Sequence, residues 1–491
     1  MTLPREPAAP FAAKATAASA TAPTTASAAS DAASAATAAA RDEVFQVETH
    51  GIDPIPDDER HGGAKDLFWL WFGSNLTFTY VINGTLAVAF GLSFWAATAV
   101  VVLGGLAFFA VSALGLAGIR TGTATLVISR ATFGVLGNLP AGLLNWVVGI
   151  GYTILNTVVG TFALEALFAE LGWHGGDFGR ALALVVTLAL TFVVAMWGHA
   201  TVQAAERWMA YVLGAGFALV VLFVVPDADP GAVSGGGFHA WTLALVVMIA
   251  GPVSYLPMPS DYTRYLPRTT TLKAITWSGA VGGMLASVVL GVVGVAAATQ
   301  ADMTDPVAGV ADLLPGWFQA LFLFLVVGGS VTNSILTLYS SSLNLQVLGI
   351  PWSRSRGILV STAVVAAGSL ATLFWVDFTE SLTSFLSVLL VVFAPWGGVF
   401  IADTLMRRCR YDAAALHDMT GGAYWYHRGF HIPGMAALAT GVAIAALAAE
   451  SALWTGPLVA PLGGDFTLVG AVVAGLLYWV LARREPQFRR N

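Results

Sequence analysis

The chain has 491 residues, 57% hydrophobic and only 10% charged, with a mean hydropathy of +0.76 and a net charge of −6. Soluble domains carry about 25% charged residues, so the composition excludes an ordinary water-soluble enzyme or binding module. Cys409 is the lone cysteine, which rules out an intrachain disulfide, and no tract is basic enough to engage nucleic acid.

Residues 1–45 are rich in Ala, Thr and Ser and lack the continuous apolar core of a signal peptide, so a disordered cytoplasmic tail is expected there. A cytoplasmic lead-in follows over 46–64. A hydrocarbon layer about 30 Å thick takes roughly 20 apolar residues per helix. That ruler predicts about 12 transmembrane helices, at 67–91, 94–118, 141–169, 181–199, 208–226, 239–259, 274–299, 316–345, 357–376, 382–404, 433–450 and 466–483. The third and eighth are long enough to tilt or protrude.

The distribution of charge checks the count. With the N-terminus inside and sides alternating, Arg60, Lys65, Arg120, Arg130, Arg207, Arg264, Arg268, Lys273, Arg354, Arg356, Arg407, Arg408, Arg410, Arg428 and the basic run 483–490 all fall on the cytoplasmic side. Only Arg180 falls outside, where Asp177, Asp227, Asp229, Asp302, Asp305, Asp312, Asp377 and Asp465 collect. The positive-inside rule therefore predicts a bacterial-type inner-membrane protein with both termini cytoplasmic.

Spans one and six are interrupted. Span one carries Gly73-Ser74-Asn75 and Asn83-Gly84; span six carries Gly251-Pro252, Pro257 and Pro259. Proline removes a backbone donor and crowds the preceding turn, and in lipid the freed carbonyls need protein, water or a ligand. One and six are corresponding positions in two consecutive five-helix halves, the arrangement in which secondary transporters place midplane sites. Ordinary kinks give the same spacing.

Polar residues inside the bundle fall into four clusters: Asn75, Thr77, Thr79 and Asn83 in span one; Tyr152, Thr153 and Asn156 in span three; Ser254 and Tyr255 in span six; Ser330, Thr332, Asn333, Ser334 and Thr337 in span eight. Tyr152 and Asn156 are four apart and share a helix face. An aromatic face beside a carboxamide suits a flat polar ring, and Thr332 and Asn333 offer oxygens to a small cation. For any single residue, interhelical hydrogen bonding is the simpler account; the case rests on their falling together. Formal charge inside the layer is expected to be nearly absent. Glu165 is placed at the outer end of span three and His199, as a structural residue, at the inner end of span four. That argues against a carboxylate relay. No metal cluster, phosphate loop or nucleophile motif occurs, so an enzyme or ATP-driven pump has no support.

Four segments resemble a known family. GIDPIPDDERHGGAKDLFWLWFGSNLTFTY (51–80), RTGTATLVISRATFGVLGNLPA (120–141), SYLPMPSDYTRYLPR (254–268) and FAPWGGVFIADTLMRRCRYD (393–412) are similar to the nucleobase:cation symporter family of purine–cytosine permeases and hydantoin and allantoin transporters. The resemblance covers roughly 45–485. It implies an all-α, leucine-transporter-like fold with a 5+5 inverted repeat, here 65–226 and 239–404, followed by a cytoplasmic loop and two C-terminal helices over 405–491. It implies a monomer that imports a planar heterocycle by alternating access with Na⁺ or H⁺, without other cofactor. An amino-acid or vitamin (pyridoxine- or thiamine-like) carrier on the same fold is the alternative.

Residue roles implied by the resemblance are these. Tyr152, where tryptophan is more usual, faces the substrate ring, and Asn156 hydrogen-bonds it. Gly251, Pro252, Ser254 and Tyr255 cover the span-six break, and Asn333 and Thr337 add polar contacts from span eight. Asn75, Phe78, Gly329, Thr332 and Asn333 match the positions that hold Na⁺ in sodium-coupled members, with Asn333 replacing a hydroxyl. Asp261, Arg264 and Asp403 are expected as structural or gating contacts that do not touch substrate.

Overall fold

The computed structural model describes residues 51–489 apart from 198, 233–234, 376–377 and 452. The tail over 1–45, Asp377, Arg490 and the His199 side chain lie outside the described residues. The regular structure is helical: α1 (Ala64–Asn75), α2 (Thr79–Ala89), α3 (Phe94–Thr121, slightly broken at Leu106 and Gly115), α4 (Leu139–Glu170), α5 (Gly176–Trp197), α6 (His199–Val224), α7 (Phe238–Ser254), α8 (Pro259–Thr263), α9 (Leu272–Ala298), α10 (Gly316–Val347), α11 (Arg354–Trp375), α12 (Phe378–Met406), α13 (Ile432–Ala448) and α14 (Val469–Ala482). Nine of the described helical segments are long and apolar enough to cross a membrane. Tryptophans stand exposed at or near helix ends, among them Trp95, Trp317 and Trp375, where amphipathic rings meet the headgroups.

The two predicted breaks are present. Span one is split into α1 and α2 by Leu76-Thr77-Phe78, and span six into α7 and α8 by the segment from Tyr255 to Met258. Pro252 lies inside the last turn of α7 and Pro259 opens α8, as expected of a residue that tolerates only a first turn. Elsewhere local chemistry sets the ends. Thr271 accepts from Ala274 N to cap α9, and Gly122 ends α3 in the left-handed region at φ +74°, a cap glycine adopts without cost. The long spans are α4 and α10, each 32 residues.

Lipid tails are as apolar as leucine, so helices here are held by close packing of small residues and by hydrogen bonds. α4 and α10 pack along one another, with Gly149 against Ser341 and Gly160 against Ser330. α2 meets α9 backbone to backbone: a Cβ on Gly84 would lie 2.1 Å from Gly291 O, and one on Gly294 would lie 2.0 Å from Val81 O.

One boundary differs from expectation. The fifth span was expected to begin at 208, but α6 starts at His199 and runs on without a loop. Arg207 therefore sits on a helix, ion-paired with Asp66 of α1, and Glu206 is fully buried. The expectation that the interior holds almost no formal charge is corrected at that residue. The outlying Arg180 has a physical explanation: its guanidinium donates to both oxygens of Glu165, at 2.9 and 3.3 Å. Arg130 is also not a surface charge. It is buried, donates to Leu416 O and Val347 O, and burial pushes it down to about 10.

Candidate functional site

Breaking span one leaves carbonyls at the end of α1 without intrahelical donors, and the sequence supplies amides to meet them. Asn75 Nδ2 donates to Trp71 O at 2.8 Å, and its Oδ1 accepts from Tyr80 OH at 2.7 Å. Asn333 of α10 donates to Ser74 O at 2.7 Å. A Cβ on Gly329 would lie 2.2 Å from Leu76 O, so glycine is what lets α10 reach the break.

Asn156 of α4 is the hub. Its Oδ1 accepts from Thr77 at 2.8 Å and Thr79 at 3.2 Å, both on span one. Its Nδ2 donates to Tyr152 O and to Asn333 Oδ1, each at 2.8 Å. Asn333 Nδ2 also donates to Tyr255 OH at 2.8 Å. Ser74 O can only accept, which fixes the direction of this chain. Four elements, namely the two breaks, α4 and α10, are thereby joined by one polar network.

The network surrounds a cavity of about 20 Å³ lined by Thr77, Thr79, Tyr80, Asn83, Tyr152, Asn156, Gly251, Ser254, Tyr255 and Asn333. Three tyrosines supply aromatic walls. Tyr152 stands edge-on to Phe385, with ring centroids 5.2 Å apart, and Tyr255 edge-on to Trp71 at 5.1 Å. Asn83 Oδ1 and the Tyr152 hydroxyl, both in the wall, are buried with no hydrogen-bond partner, and the former can only accept. Such a volume holds about one water, so a ring-sized ligand enters only when a wall moves. A larger cleft of about 760 Å³ between α12 and α14 is lined by apolar side chains such as Leu405, Val472 and Leu476, which face outward; it lacks the polar groups that orient a ligand.

Of the residues singled out from sequence, Tyr152, Asn156, Gly251, Ser254, Tyr255 and Asn333 line the cavity. Pro252 is buried in α7 beside it. Thr337 does not line it: its hydroxyl donates back to Asn333 O at 2.9 Å, and its methyl faces Gly149. Thr77, Thr79, Tyr80 and Asn83 line it and are not among the binding residues expected, although all but Tyr80 belong to the span-one polar cluster.

The expected cation ligands also gather, since Gly329 abuts Leu76 and Thr77 between Asn75 and Phe78. Gly329 O accepts from Thr332 Oγ1 at 3.0 Å, and Phe78 O accepts from Ile82 N at 3.1 Å. Asn333 Oδ1 accepts from Asn156, and its Nδ2 donates to Ser74 and Tyr255. The oxygen keeps a second lone pair, so these residues offer carbonyl, hydroxyl and amide oxygens that suit a small cation.

Asp261, Arg264 and Asp403 line no part of the cavity. Asp261 accepts from Thr125 N at 3.0 Å, tying α8 to the loop after α3. Arg264 donates to Gly51 O at 2.7 Å and lies over the Tyr265 ring. Arg407 Nε shares its N–H between the two oxygens of Asp403, at 2.9 and 3.0 Å.

The profile of a family described as permeases for cytosine/purines, uracil, thiamine and allantoin matches residues 54–470. The chain is 24% identical to a putative purine-cytosine permease of Bacillus subtilis, over 91% of this chain and 98% of that one. It is likewise 24% identical to a purine-cytosine permease of Saccharomyces cerevisiae, over 91% of this chain and 88% of the relative. In structure it is similar to Mhp1, a nucleobase-cation-symport-1 family transporter solved in a closed conformation with bromovinylhydantoin bound, with TM-score 0.74 and 20% identity, over 89% of this chain and 96% of that one.

Proposed function

The chain belongs to the family of permeases for cytosine and purines, uracil, thiamine and allantoin, and from that premise we propose that it is a symporter importing a nucleobase, hydantoin or allantoin together with Na⁺ or H⁺. The observation that carries this reading is the small, tyrosine-walled cavity at the meeting of the two broken spans with α4 and α10. A flat heterocycle stacks on Tyr152. Asn83 Oδ1 accepts a ring N–H, and Asn156 and Asn333 exchange their mutual bond for ring donors and acceptors. Entry breaks the Asn156–Asn333 link and so loosens α4 from α10, which ties binding to alternating access. In this reading 65–226 and 239–404 are the two repeats, the protein acts as a monomer, and both termini are cytoplasmic, in keeping with the basic inner loops.

A thermal-shift panel on detergent-purified protein tests the substrate class. A ligand that binds only the folded state stabilises by about 2.7 kcal/mol at a hundred times its dissociation constant. One heterocycle among cytosine, adenine, hypoxanthine, uracil, hydantoin and allantoin is expected to raise the melting temperature. If thiamine alone does so, the vitamin alternative replaces this reading. Asn156→Ala removes the hub and is expected to weaken that ligand by about 5- to 150-fold, the equivalent of roughly 1–3 kcal/mol. Unchanged affinity in a titration of the variant would remove Asn156 from the site.

A further inference from the structure

α6 lies against α1 and α10 at once. Gly73 of α1 faces Glu206 and Ala210, and Gly328 of α10 faces Met209 and Leu213. Gly216 of α6 meets Leu325 of α10, so rising numbers on α6 meet falling numbers on α10 and the two helices run antiparallel. Carried about one turn further, that register sets Glu206 level with Thr332. A Cβ on Gly73 would lie 2.9 Å from Glu206 Oε2, so the carboxyl is held against the last turn of α1, next to Ser74 and the span-one break. Glu206 is 0% exposed, and neither of its oxygens has a hydrogen-bond partner.

A bare carboxylate in such a place costs several kcal/mol unless a positive charge accompanies it. Among the described residues none forms an ion pair with it. The adjacent Arg207 is committed to Asp66 and is roughly half exposed. From the span-six break the neutral Tyr255 hydroxyl is in electrostatic range, and on α1 the carboxyl lies against Gly73. On α10 the level residue is the uncharged Thr332. Asn333, one residue on, is tied by its amide to Asn156, Ser74 and Tyr255, and its Oδ1, which accepts one bond, keeps a second lone pair. A charge-hungry carboxyl thus stands beside the span-one break, where the residues expected to hold a cation offer neutral oxygens and no charge.

We infer that Glu206 is the seat of the coupling charge: its carboxyl takes up one monovalent cation, H⁺ or Na⁺, beside the span-one break. The inference deepens the proposed symport and rests on it. With the cation bound the carboxyl is neutralised and the break can close against α6 and α10. When the cation leaves, the bare carboxylate must reach water, which opens the same seam. Because the seam includes Gly73 and the carbonyls that Asn333 holds, the charge on Glu206 is linked to the network around the cavity.

The test uses the full chain in proteoliposomes, with a labelled heterocycle that the wild type takes up. Gradient arms are run separately, H⁺ without Na⁺ and Na⁺ at equal pH, and the arm that drives wild-type accumulation names the cation. Glu206→Gln keeps size and removes charge. It is expected to reduce gradient-driven accumulation by about 10- to 100-fold, the range of ordinary coupling free energies, while substrate–substrate exchange stays within about threefold of wild type, less than 1 kcal/mol. A residue with only a packing role would lower both together. Accumulation by E206Q equal to wild type under the same gradient overturns the inference. If E206Q is lost from the membrane, Glu206→Asp carries the test: it keeps the charge, and an unshifted pH or Na⁺ midpoint of uptake overturns the inference. If the wild type transports no heterocycle, symport itself fails. The charge seat is then judged on purified protein, where Na⁺ or acid is expected to stabilise wild type but not E206Q, and equal shifts overturn it.

Discussion

Gly329→Ala is expected to reduce uptake by about 100-fold, the cost typical of displacing a site by roughly 1 Å, in protein that still inserts and purifies as a single species. The added Cβ would sit 2.2 Å from Leu76 O and 3.3 Å from Thr77 Cα. The first clash is with a carbonyl that the break itself holds in place, so α10 must retreat from span one. That retreat pulls Asn333 off Ser74 O and Thr332 away from the break, and both the cavity and the cation set lose a wall. The neighbouring glycine is the control. At Gly328 a Cβ would meet Met209 Cε at 3.0 Å and Leu213 Cδ2 at 3.1 Å, the far ends of flexible side chains that can turn aside. Gly328→Ala is therefore expected to keep at least about half of wild-type uptake, a change below 1 kcal/mol. Equal activity of the two variants in one uptake assay would show that the close approach at Gly329 does not matter.

Asp403→Ala is expected to lower the stability of the detergent-purified protein by about 3–5 kcal/mol, the usual cost of removing one partner of a buried ion pair. Asp403 is fully buried near the end of α12. It accepts two bonds from Arg407, one from Thr132 at 3.0 Å, one from Tyr411 at 3.1 Å and one from Tyr478 of α14. Arg407 also donates to Ala131 O and Tyr426 OH, both at 3.1 Å. One carboxylate thus ties α12, α14, the loop before α4 and the segment before α13 together. Deleting it strands a guanidinium that is almost wholly buried. None of these groups lines the cavity, so protein that remains folded should bind its heterocycle with wild-type affinity. A melting temperature equal to wild type would refute the structural role, and lost affinity in folded protein would move Asp403 into the substrate path.

Much of this was legible in the sequence because lipid restricts the options. A continuous apolar run must be a helix, and a run holding Gly73-Ser74-Asn75 or Gly251-Pro252 must satisfy its freed carbonyls from elsewhere. The spacing of Tyr152 and Asn156 put both on one face, and both line the cavity. What was not legible depends on where a side chain turns. Asn333 lines the cavity, but that its amide also holds the orphaned Ser74 carbonyl and the Asn156 amide was not readable from spacing. Thr337, one turn on, bonds back to its own helix instead of facing the cavity. Glu206 was missed for another reason. AAERW, between two apolar runs and carrying an arginine, reads as a cytoplasmic loop, which puts the start of the fifth span at 208. The signal available was propensity: Gln203, Ala204, Ala205, Glu206 and Met209 are good helix formers, and no Gly or Pro stops a helix from running through them.

The most direct test of symport is uptake of labelled cytosine, adenine, hypoxanthine, uracil, hydantoin and allantoin by proteoliposomes holding the purified chain, under an imposed H⁺ or Na⁺ gradient. The account predicts that at least one of them accumulates above its outside concentration and that an ionophore collapsing the driving gradient releases it. Uptake that only equilibrates and ignores the ionophore, or unitary currents in electrical recording, would contradict coupled transport.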